Sequence, residues 1–185
     1  MARRRLASPQ RRAQQGAVAV MFALSLVVLM GFAGLALDGG RLYVNKAELQ
    51  NAADACALAA AQVLPPNGVI PAATFELARN AGRTVAMRNS FDLQSSSVSS
   101  DDVTVEFATA PVDAAWTGNA AEASANDARI ARCTVAPASL ALWIMPVLRI
   151  TSARVSARAA ATLAIFTPNC APGPARCTVM ASLVQ

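Results

Sequence analysis

The sequence predicts an α+β fold in which an N-terminal transmembrane helix continues into an amphipathic helix, followed by a small antiparallel sheet of about three strands. Three observations predict this fold. Residues 16–37 carry no formal charge, the segment after them places small apolar side chains at helical spacing, and the second half of the 185-residue chain contains stretches of polar–apolar alternation. The length suits one anchor and one domain of modest size.

The uncharged run predicts a membrane anchor. At about 1.5 Å of rise per residue, a helix over residues 16–37 reaches roughly 33 Å, which exceeds a bilayer core of about 30 Å. Five arginines lie within the first twelve residues and stay in the cytoplasm by the positive-inside rule. We therefore expect a basic leader over 1–15, a transmembrane helix over 16–37, a stalk helix over 38–64 and a domain over 65–185 on the far side. The alternative is a cleaved signal peptide, with Gly34-Leu35-Ala36 as its small-residue cleavage site.

The composition argues against nucleic-acid binding and against catalysis. The net charge is +5, but without the five leader arginines the eleven remaining Lys and Arg equal the eleven Asp and Glu, so no basic face is required. Histidine is absent, which removes the usual general base and the commonest metal ligand. Neither of the phosphate-binding patterns GxxxxGK[ST] and GxGxxG is present. We expect no enzyme activity, cofactor, metal or small-molecule substrate.

The four cysteines all follow the anchor, on a side of the membrane where disulfides are permitted. Cys170 and Cys177 bracket a turn-rich loop and are candidates for a local bridge. Cys56 and Cys133 have two interpretations: they pair with each other, or they are small buried apolar residues. Zinc is disfavoured, because the spacings do not form two close pairs.

A second helix is predicted from Arg41 to Leu64, after a hinge at Asp38-Gly39-Gly40. Alanine fills seven of the ten positions from 52 to 61, which makes a narrow seam that allows close packing. Packing of this seam against the chain's own domain and packing against neighbouring subunits are compatible interpretations. The positions expected to contact a partner are Leu42, Leu49, Ala53, Cys56, Ala60 and Val63.

Three acidic residues lie near the end of the anchor: Asp38, Glu48 and Asp54. A cation site is one interpretation of this group. The simpler interpretation is that they are helix-end and solvent-facing charges, and we expect that outcome.

The remainder of the chain predicts one further helix and three strands. Pro65-Pro66-Asn67-Gly68 ends the second helix, and a third helix is expected from Ala72 to Arg88. Alternation of side chains predicts a sheet with one wet face. Its strands are expected over 103–107, 130–135 and 150–166.

The segments between these elements predict loops, at Ser95–Ser100 and at Asp113–Asp127. Residues 140–148 are apolar with an internal proline, and they are too few to cross a bilayer as a helix. We expect a buried connector there. The alternative is a membrane-surface or partner-docking patch, because Trp143 suits an interface.

Three stretches of sequence follow one another in the N-terminal part: GAVAVMFAL from Gly16, LALDGGRLY from Leu35 and ELQNAADACALAAA from Glu48. Together they closely resemble the TadG-like N-terminal (Tad) domain of Flp pilus assembly proteins. In that family a membrane helix runs into an Asp-x-Gly-Arg turn and then into a helix with the pattern Leu-Gln-x-Ala-x-Asp-x-Ala-Ala-Leu-Ala. The positions that carry the resemblance are Gly16, Asp38, Gly40, Arg41, Leu49, Gln50, Ala52, Asp54, Leu58 and Ala59.

The resemblance implies a pilin-like domain and a component of the tight-adherence (Flp, type IVb-like) pilus machinery in the bacterial inner membrane and periplasm. Such a component is an assembly factor or is minor-pilin-like, and it packs by its helices against other pilus-assembly proteins in a homo- or hetero-oligomer. Prepilin-type cleavage after Gly16 requires a glutamate at the fifth mature position, where this chain has Met21. The alternative function is a membrane-tethered binding or adhesin domain that is unrelated to pilus assembly.

Overall fold

The computed structural model of the protein describes residues 10–112, 114–137, 139–164 and 180–184. The chain divides into two compact units. Unit 1 consists of Met1–Gly40 and Leu142–Thr151, and unit 2 consists of Arg41–Ala141 and Ser152–Gln185. The predicted α+β class is confirmed: a long N-terminal apolar helix is followed by shorter helices and small antiparallel sheets.

The first element is helix α1, which runs from Gln10 to Val63 and contributes residues to both units. The hinge expected at Asp38-Gly39-Gly40, and the turn implied by the family resemblance, are both helical in the structure. A glycine inside a helix costs only about 1 kcal/mol relative to alanine. Two adjacent glycines are therefore too weak to end a helix of 54 residues. The helix ends at Val63, one residue before the predicted end at Leu64, and the two prolines follow directly after Leu64.

The elements of unit 2 after α1 are, in chain order, α2 (Ala72–Ala86), β1 (Ser90–Phe91), β2 (Ser96–Ser97), a 3₁₀ turn (Ser100–Asp102), β3 (Val103–Ala108), α3 (Ala120–Ala125), β4 (Ile130–Val135), β5 (Leu140–Ala141), β6 (Ser152–Ala153), β7 (Ala157–Ala164) and β8 (Met180–Val184). A second 3₁₀ turn, Met145–Leu148, belongs to unit 1.

The main sheet has four described strands in the order β3-β4-β7-β8, and every neighbouring pair is antiparallel. Three of them match predicted strands, and β8 is a fourth that the sequence analysis did not identify. Two small ladders, β1-β2 and β5-β6, complete the pairing of the described strands. The expected strand over 150–166 is interrupted between Ala153 and Ala157, so that its first part pairs with β5 and its second part with β4.

The core of unit 2 lies between the helices and one face of this sheet. The alternation predicted for β3 and β4 is confirmed, since Val103, Val105 and Phe107 are buried while Thr104 is exposed. Phe107 meets Phe75 of α2 edge to face, with ring centroids 5.0 Å apart, a favoured aromatic geometry. On the other face Glu106 and Arg132 form the cross-strand ion pair expected of a wet surface.

Two loop predictions are wrong. The segment expected to be a long loop contains α3, because Asn119 caps the backbone N–H of Ala121 and small residues follow it. The serine-rich segment forms β2 and the start of a 3₁₀ turn that Ser99 and Asp102 hold in a reciprocal capping box. Short polar side chains favour caps and tight turns, and the sequence pattern alone did not separate these from a loop.

Candidate functional site: the motif residues of the long helix

The apolar part of α1 is exposed in the structure. Its large side chains between Val18 and Leu37 are open to the surroundings on all sides of the helix. Among the described residues this is the one helix with the length and apolar composition to cross a membrane. A core helix of a soluble protein buries such side chains, whereas a helix in lipid leaves them exposed in an isolated chain. The exposure therefore indicates membrane anchoring.

Asp38, at the end of that apolar part, is almost completely buried within unit 1, with 2% of its surface exposed. Its carboxylate accepts hydrogen bonds from three consecutive backbone N–H groups, those of Trp143 at 3.1 Å, Ile144 at 3.0 Å and Met145 at 2.8 Å. The prediction that Asp38 is a solvent-facing charge is therefore wrong. Three N–H donors replace water around the carboxylate and offset the free-energy cost of burying it.

Gly34 lies one turn before Asp38 on the same side of α1, and it is also buried. A Cβ atom at this position would collide with the side chain of Ile144, whose own Cβ would be 3.2 Å away. Gly34 and Asp38 thus form a seat on α1: the glycine supplies close approach and the aspartate supplies the hydrogen bonds. The segment Leu142–Thr151, which we call the seated loop, occupies this seat.

The seated loop is not the buried connector that the sequence predicts. Trp143 is 68% exposed, Val147 84% and Ile150 46%. Among the loop residues whose burial the structure describes, Leu142 at the start is the one buried side chain. The loop is fixed to α1 through its backbone N–H groups and through Ile144, and these contacts leave Trp143, Val147 and Ile150 largely exposed.

The next motif residue, Arg41, holds a tight turn of unit 2. Its guanidinium makes two hydrogen bonds to the carboxylate of Asp92, at 2.7 and 2.6 Å, and a third to the carbonyl of Ala141 at 2.8 Å. The side-chain hydrogen bond from Arg41 is the largest influence on Asp92 and holds the pKa of that carboxyl below its usual value of 3.8. Such a bidentate pair fixes orientation as well as charge.

Asn45 completes this turn from the next turn of α1. Its amide donates to the carbonyl of Arg41 at 2.9 Å, and its oxygen accepts from the backbone N–H of Asp92 at 2.7 Å. Asn45 is fully buried, so these bonds are needed to satisfy it. Asp92, Leu93 and Gln94 all have positive φ, between 55° and 64°. The helix thus stabilises a backbone conformation that is unfavourable for non-glycine residues.

Further along α1, polar side chains contact strand β7 and the residue directly before it. Gln50 donates to the carboxylate of Asp54 at 2.8 Å and to the carbonyl of Arg158 at 3.1 Å, and Lys46 donates to the carbonyl of Ser156. Glu48 accepts from the backbone N–H of Leu93 at 3.2 Å. These contacts show that the polar motif residues tie separate segments of this chain to α1.

The seam of small residues packs inside unit 2. Leu49, Ala53, Cys56 and Ala60 are completely buried, and Leu42 and Val63 are partly buried against the same core. Cys56 forms a disulfide with Cys133 of β4, which selects the first of the two interpretations for these cysteines. The seam therefore serves the chain's own domain. Partner contact through these six positions stays a prediction, and contact through the four completely buried ones would require unit 2 to open.

Two other predicted positions are glycines on an exposed part of α1. Gly16 and Gly40 are exposed, with open space where a side chain would be. Cys170 and Cys177, the candidates for a local disulfide, lie outside the described residues.

Sequence reasoning missed Asn45 and Asp92. The signal for Asn45 was present: Arg41, Asn45 and Glu48 recur at helical spacing, so three polar residues share one stripe of a helix. Nothing in the sequence pairs that stripe with Asp92, 51 residues from Arg41.

The described residues offer no evident site for catalysis. They contain no group of three His, Cys, Asp or Glu side chains that could hold a metal. Two surface clefts have volumes of about 230 and 240 Å³, below the several hundred Å³ of typical ligand pockets. The first is lined mainly by small and uncharged residues around Thr117.

Comparison with known proteins gives a family match over the segment that contains the motif residues. Residues 16–63 match the Tad family model, described as "Putative Flp pilus-assembly TadE/G-like". Neither the curated proteins nor the solved structures give a significant match. The matched segment contains the exposed apolar helix, the seat at Gly34 and Asp38, and the residues from Arg41 to Asp54 that hold unit 2 together. Residues 16–63 of this chain are therefore similar to the Tad domain of Flp pilus-assembly, TadE/G-like proteins.

Proposed function

We propose that this protein is an assembly factor of a tight-adherence (Flp) pilus, anchored in the bacterial inner membrane by one helix with its N-terminus in the cytoplasm. The observation that carries the proposal is the Tad match over residues 16–63, with motif residues that support the fold. The five leader arginines favour this orientation. The Cys56–Cys133 disulfide favours an oxidising compartment such as the periplasm for unit 2.

The choice of assembly factor over minor pilin rests on the membrane segment. Met21 occupies the position at which a processed prepilin would carry a glutamate, and its side chain is exposed on an apolar helix. A charged group there would seek a partner in lipid. An uncharged methionine has no such need for a partner, so position 21 does not supply the charge that would dock the helix into a fibre.

Contact with pilus partners is proposed along the lipid-exposed part of α1. Gly31 has open space around its Cα, and Ala33 is exposed on the same apolar helix. Small residues let helix backbones approach closely in a membrane. We expect Gly31→Leu to reduce co-purification of the other pilus-assembly proteins severalfold, and Val27→Leu, which adds bulk to an already large residue, to leave it unchanged.

The test is deletion of the gene, followed by complementation with the wild-type chain or with a chain whose residues 16–37 are replaced by an unrelated transmembrane helix of equal length. We expect surface Flp pilin, measured after shearing, to be lost on deletion and restored by the wild type alone. The protein should remain uncut in the inner-membrane fraction. Recovery in the sheared fibre would indicate a minor pilin. Normal pili with lost adherence would favour the tethered adhesin domain.

A further inference from the structure

We propose that the seated loop, Leu142–Thr151, is a second membrane contact of unit 1, lying in the headgroup boundary of the bilayer beside the last turn of the membrane helix. The partner of the exposed loop surface is the lipid of the bilayer. The proposal goes beyond the assembly role, because it concerns the contact between unit 1 and lipid. It holds whatever the function of unit 2 is. It depends on insertion of residues 16–37.

The depth of the loop follows from its seat. Gly34 lies about 27 Å along the helix from Gly16, and Asp38 about 33 Å, at 1.5 Å of rise per residue. The hydrocarbon core is about 30 Å thick. The loop contacts α1 at both residues, through Ile144 at Gly34 and through the N–H groups of residues 143–145 at Asp38. The loop is therefore level with the boundary between acyl chains and headgroups.

The surface that the loop presents fits this boundary. Trp143, Val147 and Ile150 expose apolar side chains, as do the large residues of α1 between Val18 and Leu37 in the same unit. Tryptophan is enriched at the membrane interface because its ring is apolar and its N–H needs a polar partner. Arg149 is exposed two residues after Val147, where its guanidinium suits lipid phosphate.

The backbone of the loop is also prepared for contact with lipid. Asp38 accepts hydrogen bonds from the N–H groups of residues 143–145. Within the loop, backbone N–H groups donate to carbonyl groups at distances of 2.9 to 3.3 Å in four pairs: Leu142–Thr151, Val147–Ile144, Arg149–Pro146 and Ile150–Met145. Unsatisfied backbone groups are the main obstacle to placing irregular structure near hydrocarbon. These hydrogen bonds satisfy many of the backbone groups of the loop and so lower the cost of placing it near hydrocarbon.

The experiment uses the full chain with Trp116→Phe, which leaves Trp143 as the only tryptophan, reconstituted in vesicles of phosphatidylcholine and phosphatidylglycerol. Separate samples contain lipids brominated near the glycerol end or near the middle of the acyl chain. We expect blue-shifted Trp143 emission that the shallow bromolipid quenches most and that aqueous iodide quenches little. Quenching by iodide alone would overturn the proposal. Shielding from both quenchers would also overturn it, since it would show that protein, such as a second copy, covers the loop.

Matched variants test whether the position of the loop depends on its contact with Gly34, independently of the folding of unit 2. Gly34→Ala should displace the loop and reduce bromolipid quenching, while Gly39→Ala, whose Cβ meets nothing within 4 Å, should not. Val147→Asp should likewise reduce quenching, and Val69→Asp, on an equally exposed valine of unit 2, should not. Formation of the Cys56–Cys133 disulfide, measured by mass spectrometry, checks that unit 2 is folded in every variant. Unchanged quenching in both Gly34→Ala and Val147→Asp would contradict the proposed position of the loop.

Discussion

The two parts of helix α1 are both apolar, yet they behave in opposite ways. Between residues 16 and 37 the side chains are mostly large and exposed, whereas between 49 and 61 they are mostly alanine and buried in unit 2. Apolar composition alone therefore does not decide burial. Large side chains on all sides suit a lipid environment, and small side chains on one stripe let a sheet and a second helix come close.

The largest effect is expected from a charge in the seam. Ala53→Arg would bury an unpaired guanidinium and overfill a close-packed position, so we expect a loss of about 4 kcal/mol or more in the stability of unit 2. Ala47→Arg, on the exposed side of the same helix, should change stability by less than about 0.5 kcal/mol. Limited proteolysis and denaturant unfolding in detergent measure both. A folded Ala53→Arg protein with normal protease resistance would show that the seam is not part of the core.

The disulfide should rank second. Cys56 and Cys133 are 77 residues apart in sequence, and removing a native disulfide typically costs about 2–5 kcal/mol, because the unfolded chain regains freedom. We expect the double variant Cys56→Ala/Cys133→Ala to lose stability in that range, measured by the fluorescence of Trp116 in a Trp143→Phe background.

Membrane insertion provides the control for the disulfide variant, since residues 16–37 contain no cysteine. Alkaline extraction should leave the variant in the membrane fraction. Release from the membrane together with unfolding would contradict the independence of the two parts of α1.

The ion pair of Arg41 and Asp92 should have a smaller effect that depends on pH. The pKa of Asp92 is lowered in the folded chain, so its stabilisation is present above the usual value of 3.8 and is lost as pH falls through the folded pKa. Asp92→Asn should cost about 2 kcal/mol at pH 7, in the range for hydrogen bonds to charged groups. The difference in stability between variant and wild type should shrink as pH falls below 3.8.

Glu76→Gln serves as the comparison for Asp92→Asn, because Glu76 pairs with Arg79 at a more exposed position. Exposed ion pairs contribute about 0–1 kcal/mol. Unfolding of both variants across pH 2.5–7 measures the contrast. Equal stability losses that do not vary with pH would show that Arg41 acts through packing and not through the carboxylate.

The smallest effect is expected where α2 approaches the seam. A Cβ at Gly82 would lie 3.1 Å from the carbonyl oxygen and the Sγ of Cys56 and 3.3 Å from the Cβ of Ala60. The gain in helix propensity from Gly82→Ala, about 1 kcal/mol, should be outweighed by crowding that costs about 1–3 kcal/mol. We expect a net loss near 1 kcal/mol in denaturant unfolding, whereas Asn80→Ala, on the exposed side of α2, should be neutral or stabilising.

The sequence by itself determined the elements that depend on local pattern. The uncharged run, the alanine-rich helix, its end at the prolines and the alternating strands β3 and β4 were all predictable, because their periodicity reflects which side of each element is apolar. The family similarity of residues 16–63 was predictable for a related reason, since the motif lies in one continuous stretch. The fold class followed from these elements.

Only the tertiary structure decided what the polar motif residues contact. Asp38 binds a loop 105–107 residues away, and Arg41 binds a turn 51 residues away. One sequence carries no information on which distant N–H groups or carboxylates will satisfy a given side chain. The same is true of the seated loop, whose apolar residues predicted burial. Their exposure depends on a seat formed by one glycine and one aspartate, and this seat exists only when the chain is folded.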